Sequence, residues 1–438
     1  AGTIPSDRVA SAVAADTLLV VRRPDHHGLQ VEPDLSLPHG ESLIRQGLYG
    51  QRQFRQSFGR RSSVAWAPGV RGAAWTLPQL LRSMDFTSLL AGATPPGHSV
   101  EYPYENFFWE GNDGSRIHTL RPIDLPDDID PDSLLRIMGS RYGRAASHQV
   151  VLARIDKAGE DRLREFRRLN ALPGMRFSSP EKAISTIRRR TPPDSVTVWR
   201  EGLAFEDGGG SSLAAATLAK RNHAAEVGLK TSEALAAIAS GLPGGPTYPR
   251  DRLGRAWRQV LVNQSFDILS GPADSIVPAE AHSRYDSAAA TIDSIVTERF
   301  AIIRSEMDTR GESGGSYVLF NPLGHPRVGP ALVAFPAPIA GESSASAGTN
   351  SNLALVHVPE VPAFGAVAIP IGRDGLPGIS ASGLAPPAGG QNWIENAFLR
   401  VEIDLPSGAI TSILDKSNGR QALRAGGRAN VLWVQGDR

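Results

Sequence analysis

Residues 257–271 read Trp-Arg-Gln-Val-Leu-Val-Asn-Gln-Ser-Phe-Asp-Ile-Leu-Ser-Gly. Apolar residues recur here at helical spacing: Trp257, Val260, Leu261 and Ile268. The pattern predicts a buried helix that ends near Gly271. Three polar residues accompany the apolar ones: Asn263, Gln264 and Asp267. Buried polar groups need partners, so these side chains either brace the helix or, in the case of Asp267, line a pocket.

The composition is that of a globular protein with room for two or three domains. The chain has 438 residues, of which 41% are hydrophobic and 21% charged. Its net charge of +1 gives no reason to expect nucleic acid or an anionic membrane as a partner. The chain has no cysteine, so a metal site would use His, Asp or Glu. We expect neither a membrane span nor a signal peptide, and therefore predict a cytoplasmic location.

Three stretches carry a resemblance to a known family. Residues 263–271 resemble the N-Q-F-H-D-I-L-P-G signature of the α-mannosidases of glycoside hydrolase family 38. Residues 30–54 are similar to that family's W-V-E-P-D and G-E-S-L-x-R-Q-x-x-Y-G-Q-x-x-F motifs. Residues 102–117 resemble its F-x-W-x-G-x-D-G-S-x-V motif. The resemblance runs from Leu29 to Arg438, and family chains are longer, so the chain is identified as a truncated member.

The resemblance also implies which catalytic groups are replaced. In the family, zinc is bound by the His of the first signature, by an H-x-D pair and by an Asp that is also the nucleophile. Phe266 stands at the His position, Gly69 stands at the Asp position, and the sequence has no H-x-D pair. We therefore expect no zinc or other cofactor in this chain. Retaining glycoside hydrolysis needs two carboxylates about 5 Å apart, so the resemblance implies little or no activity.

The remaining site residues are carried over from the family one at a time. Asp156 matches the acid/base residue that follows a strand in the family, although the glycines of that loop are missing here. Asp267 matches the residue that holds sugar hydroxyls, and Glu206 lies in a loop that lines the family's sugar pocket. Trp109 alternates with Phe107 in strand fashion, which favours packing over sugar contact.

The patterning predicts a multidomain fold that combines α/β, all-α and all-β parts. Residues 1–194 are expected to form an incomplete, parallel α/β barrel-like domain, because strands alternate with helices there. The sequence predicts strands at residues 17–21 and 148–155, helices at residues 76–81 and 179–187, and a hairpin turn at residues 112–114. Residues 195–310 contain three helical stretches separated by Gly and Pro, which predicts a three-helix bundle. Val227 is expected on the apolar side of the first stretch, residues 213–240. Residues 311–438 change to the period of strands and are expected to begin a β-sandwich domain, with a hairpin formed by residues 396–403 and 408–416.

Three functions compete. The first is an α-mannosidase-like carbohydrate-processing protein with an impaired site, which keeps contact with a mannose-containing glycan. The second is an active, zinc-dependent retaining α-mannosidase that is completed by another chain. The third is a non-catalytic scaffold that binds a protein partner or associates with itself, since incomplete domains would expose apolar surface. Zinc content and turnover separate the second function from the others, and glycan binding separates the first from the third.

Overall fold

The chain divides into two compact units, Ala1–Ser305 and Glu306–Arg438, and each is described by itself. The predicted domain boundaries at residues 194 and 310 stay predictions. The computed structural model describes residues 16–22, 28–70, 72–92, 106–124, 148–154, 175–204, 213–269, 279–307, 316–335, 352–370 and 392–431.

The first unit contains a four-stranded parallel sheet. Its strands are β1 (Asp16–Arg22), β7 (Ile123–Asp124), β8 (His148–Arg154) and β9 (Met175–Ser178), in the order β7-β8-β1-β9. All three neighbouring pairs run parallel. The strands predicted at residues 17–21 and 148–155 are confirmed by β1 and β8.

A second sheet of the first unit carries the stretches that resemble the family. It contains β2 (Val64–Ala67), β4 (Ser88–Ala91), β5 (Asn106–Glu110), β6 (Arg116–Leu120) and β10 (Thr197–Trp199), in the order β10-β5-β6-β4-β2. Strands β2, β4 and β6 are parallel, whereas β5 pairs antiparallel with β6 through the turn expected at residues 112–114. The sheet is therefore mixed, not wholly parallel as predicted. The described strands of this unit form no closed barrel.

Helices α1 (Gly40–Phe58), α2 (Leu77–Ser83) and α3 (Pro180–Arg190) accompany these strands. The helices predicted at residues 76–81 and 179–187 are confirmed by α2 and α3. A short ladder between β3 (Gly72–Ala73) and β11 (Leu203–Ala204) lies beside them. Apolar residues from α1, α2 and the second sheet form one core, in which Phe107 and Trp109 are fully buried.

Long helices pack on one another in the rest of the unit. They are α4 (Leu213–Gly241), α5 (Arg250–Asn263) and α7 (Ala279–Ser305), with the short α6 (Phe266–Leu269) after α5. Their shared core includes Leu218, Leu229, Trp257, Tyr285 and Ile295, each at most 2% exposed. Val227 was predicted on the apolar side of α4, but its side chain is 42% exposed. It lies two residues before Leu229, which is more than half a turn around the helix.

The predicted helix over residues 257–271 is wrong in its length. Helix α5 ends at Asn263, and a separate short helix begins at Phe266. The interruption arises because the backbone of Gln264 and Phe266 bonds to the segment Glu32–Asp34 instead of continuing the helix.

Strands alone form the described part of the second unit. Two antiparallel pairs join β12 (Ser316–Phe320) to β15 (Ala366–Pro370) and β13 (Arg327–Phe335) to β14 (Asn352–Val361). An antiparallel sheet follows in the order β16-β17-β18-β19, with strands Trp393–Glu395, Leu399–Asp404, Ala409–Asp415 and Arg420–Gln421. The strands and the hairpin expected from the sequence after residue 315 are thus confirmed.

A search of the described helices found none that is both long enough and apolar enough to cross a membrane.

Candidate functional site

Two segments that are distant in the sequence cross beside the second sheet: Glu32–Asp34 and Gln264–Phe266. The amide of Asp34 donates to the carbonyl oxygen of Gln264 at 2.9 Å, and the amide of Phe266 donates to the carbonyl oxygen of Glu32 at 2.9 Å. Pro33 and Ser265 form an antiparallel bridge between these two bonds. The crossing fixes the backbone of Phe266 against the segment Glu32–Asp34.

Gly69 lies against this crossing, just past the carboxyl end of β2. Its amide donates a short hydrogen bond to the carboxylate of Glu32. A Cβ atom built on Gly69 would lie 2.8 Å from Oε1 of Glu32 and 3.2 Å from Cδ1 of Phe266. The two positions that the sequence analysis singled out, 69 and 266, are therefore neighbours in space. In a parallel arrangement, the carboxyl ends of the strands are where catalytic residues of α/β enzymes usually gather.

The described side chains at this place offer few donor atoms for a metal ion. Glycine has no side-chain donor atom, and the phenyl ring of Phe266, which is 9% exposed, has no N, O or S atom. Glu32 contributes a carboxylate that is 6% exposed. Within the described residues there is no group of three or more His, Cys, Asp or Glu side chains placed to hold a metal ion. The described part of the site therefore does not fit zinc, which takes several N, O or S ligands.

Comparisons with known proteins show similarity to one glycosidase family. Residues 7–201 match the model of the glycosyl hydrolases family 38 N-terminal domain. Alpha-mannosidase 2C1 of Homo sapiens is 27% identical over 422 residues, which cover 94% of this chain and 39% of that protein. These similarities support an α-mannosidase-like chain of the glycoside hydrolase family 38 type. It spans about two fifths of the length of this relative and of its Mus musculus counterpart.

A solved structure shows the same fold relationship. An α-mannosidase from Enterococcus faecalis V583 superposes with a TM-score of 0.63 at 20% sequence identity. The match covers 89% of this chain and 51% of that chain. Alpha-mannosidase G of Dictyostelium discoideum, 29% identical over 254 residues, covers 56% of this chain and 23% of that protein.

The other site residues predicted from the family differ in where they lie and in how far they are buried. Asp267 follows Phe266 on α6, and its side chain is exposed. Trp109 is fully buried, and its indole nitrogen donates to the carbonyl oxygen of Glu201 at 2.9 Å, as expected of a packing residue. Asp156 and Glu206 lie outside the described residues. The structure thus brings Gly69 and Phe266 together, leaves Asp267 exposed on α6 and places Trp109 in the core.

A buried polar cluster holds the crossing from the side of α4. Oε1 of Glu226 accepts hydrogen bonds from Nε2 of Gln264 at 3.1 Å and from Oγ of Ser42 at 2.5 Å. The same oxygen accepts from the amide of His39, which precedes α1, at 2.9 Å. Glu226 is 1% exposed, so these donors replace the water that Oε1 has lost. Oε2 is buried without a hydrogen-bond partner among the described residues and lies 3.7 Å from Nδ1 of His39. The cluster therefore ties α1, α4 and the segment after α5 into one support.

Two more groups complete this support. Nε2 of Gln46 donates to the carbonyl oxygen of Leu261 at 2.8 Å, which fixes the last turn of α5 against α1. The hydroxyl of Tyr285 donates to Oδ1 of Asn222 at 3.3 Å. Burial raises the pKa of Tyr285, and the nearby Glu226 raises it further, so the phenol stays protonated. Sequence reasoning missed Glu226, because a single acid in an Ala-rich helix gives no local signal.

Proposed function

We propose that the chain is an α-mannosidase-type carbohydrate-processing protein that contacts mannose-containing glycans but hydrolyses them poorly or not at all. The proposal depends on one observation: Gly69 and Phe266, which replace two catalytic groups of the family, lie side by side. A sequence misalignment at one of these positions would not bring both to the same place.

The chemistry of the two residues supports the loss of turnover. A retaining glycosidase needs a nucleophilic carboxylate and an acid/base carboxylate about 5 Å apart. Glycine cannot attack an anomeric carbon, and a phenyl ring cannot bind a metal ion. The carboxylate of Glu32 reaches this place, but it accepts a hydrogen bond from the Gly69 amide and its residue is only 6% exposed. We therefore assign Glu32 a supporting role for the Gly69 loop.

Sugar contact is assigned to Asp267. Its carboxylate is exposed on the residue after Phe266, so it can accept hydrogen bonds from sugar hydroxyls without first losing a buried partner. The short helix that carries it is held by the backbone hydrogen bonds that Phe266 and Gln264 make with Glu32 and Asp34. We also assign Asp156 and Glu206 to this site by their place in the family motifs.

The test combines turnover with binding. Hydrolysis of an aryl α-mannoside is measured with and without added zinc, and binding of methyl α-mannoside is measured by titration calorimetry. We expect no turnover in either condition and measurable binding that is lost in Asp267→Ala. Zinc-stimulated turnover would overturn the impaired site, and equal binding by Asp267→Ala would overturn its role. Absence of binding by the unmodified chain would overturn the carbohydrate contact and favour a scaffold.

A further inference from the structure

Trp75 presents an aromatic ring at the surface of the first unit, between β3 and α2. Its side chain is 41% exposed, although tryptophan is usually well buried. The indole nitrogen donates to the carbonyl oxygen of Glu110 at 2.8 Å. Because the polar atom of the ring is already bonded, the part that solvent reaches is hydrocarbon. The same bond holds the ring against the end of β5.

Two charged side chains bond to the residue whose carbonyl oxygen accepts from the indole, Glu110. The carboxylate of Glu110 accepts from Nε of Arg116 at 2.5 Å and from Nε of Arg200 at 2.8 Å. The hydrogen bond from Arg200 lowers the pKa of Glu110 most, and the bond from Arg116 lowers it further, so the carboxylate remains ionised at neutral pH. The Arg116 and Arg200 side chains are 54% and 58% exposed. The Nε–H of each arginine donates to Glu110, so the Nη groups are the guanidinium donors that remain for a ligand.

Backbone pairing explains why these groups share one surface. Glu110 is paired with Arg116 in the β5–β6 hairpin, and Arg200 follows the residue that β10 places beside Trp109. The loop that carries Trp75 packs on the same hairpin, since a Cβ atom on Gly111 would lie 3.4 Å from the carbonyl oxygen of Trp75. Glu110 and Arg116 therefore lie on the hairpin itself, Arg200 directly follows β10, and the turn that carries Trp75 is packed against the hairpin.

We infer that Trp75, Glu110, Arg116 and Arg200 form a carbohydrate-binding surface, made of different residues from the site at Gly69 and Phe266. A pyranose ring has a face of C–H groups and a rim of hydroxyls. The exposed indole offers an apolar platform for that face, and planar guanidinium and carboxylate groups offer donors and acceptors for the hydroxyls. The choice of a sugar as ligand rests on the proposed function, and the location of the surface does not.

Exposed ion pairs alone would not justify a site, because they contribute little energy and are common. What distinguishes this surface is the exposed Trp75, whose only polar atom is tied to the residue that also joins the two arginines. Tyrosine and tryptophan are favoured at recognition surfaces for this combination of an apolar body and a fixed orientation.

The probe for the test is immobilised, α-linked mannan, and retention is compared for the unmodified chain and for Trp75→Ala. We expect the apparent affinity to fall by about five- to tenfold in Trp75→Ala, as for the loss of one aromatic contact. Trp75→Phe keeps an apolar ring and should retain most of the binding. The matched control is Phe364→Ala, which removes another exposed aromatic ring, 52% exposed, in the second unit. The thermal midpoint of each variant is measured so that unfolded protein is not scored as weak binding.

The outcomes separate this surface from the site at Gly69. If Trp75→Ala, folded as judged by its thermal midpoint, binds mannan like the unmodified chain, the surface is disproved. Retention that falls equally in Phe364→Ala would also disprove it, as would a chain that does not bind mannan at all. If mannan binding needs Trp75 while methyl α-mannoside binding is absent, the surface stands and the assignment of sugar contact to Asp267 falls.

Discussion

Replacing Gly69 by alanine should destabilise the first unit by about 1–2 kcal/mol. The new Cβ would lie 2.8 Å from Oε1 of Glu32, a distance that Cβ atoms do not tolerate, and 3.2 Å from the ring of Phe266. Relief requires the Glu32 carboxylate to move away from the Gly69 amide. A hydrogen bond to a charged group contributes about 1.5–3 kcal/mol to stability. Alanine has less backbone entropy than glycine in the unfolded chain, which offsets about 0.4–1 kcal/mol of this loss.

Urea unfolding of the unmodified chain and of Gly69→Ala measures this difference. The control is Gly254→Ala on α5, where an added Cβ would meet nothing within 4 Å. In a helix interior this exchange should stabilise the protein by about 0.5–1 kcal/mol. A Gly69→Ala protein that is as stable as the unmodified chain, or more stable, would refute the contact between residues 69 and Glu32.

The charge of Glu32 adds a second step to the same prediction. Gly69→Asp would place another carboxylate beside Glu32, so its cost should exceed that of Gly69→Ala. In a double-mutant cycle, Glu32→Gln should recover part of this additional cost, because glutamine keeps an acceptor for the Gly69 amide without the charge. Strict additivity of Gly69→Asp and Glu32→Gln would contradict the proximity of the two side chains.

Three further predictions concern the supports of the site and its chemistry. Burial, and then the charge of Arg188, lower the pKa of His118 from 6.5 to about 4. The unfolded chain therefore binds this proton before the folded chain does, and His118 should reduce the free energy of unfolding by about 2 kcal/mol between pH 7 and pH 5. His118→Gln should lack this part of the pH dependence in urea unfolding, and an unchanged dependence would contradict the burial. Glu226→Ala leaves the donors of His39, Ser42 and Gln264 without their acceptor. Thermal unfolding should therefore show a free energy of unfolding that is lower by about 2–4 kcal/mol. The control, Glu41→Ala at an exposed ion pair, should lower it by less than about 1 kcal/mol. Phe266→His should not take up stoichiometric zinc in metal analysis, because Gly69 supplies no second ligand; one zinc per chain would show that other ligands converge there.

The sequence predicts correctly those elements that depend only on residues close together in the chain. The hairpin around residues 112–114 follows from its Asn-Asp-Gly turn, and α3 follows from Ser179 and Pro180 at its start. The hydroxyl of Ser179 accepts from the amide of Lys182 at 3.3 Å, as a helix cap should. Such features need only neighbours in the chain, so they can be read without knowledge of the fold.

What the sequence did not predict depends on contacts between distant segments. The helix expected to reach Gly271 stops at Asn263, because Glu32 and Asp34 compete for the backbone groups that would continue it. The parallel pairing of β10 with β5 likewise joins residues that lie about 90 positions apart in the chain. The proximity of Gly69 and Phe266 could be expected from the family resemblance alone, and periodicity gave no sign of it.

Metal analysis of the purified chain, with aryl α-mannoside turnover measured before and after chelation, tests the central claim most directly. Gly69 and Phe266 supply no ligand and no nucleophile, so the account predicts zinc well below one ion per chain and no turnover that a chelator removes. One zinc ion per chain, together with turnover that chelation abolishes and zinc restores, would contradict it.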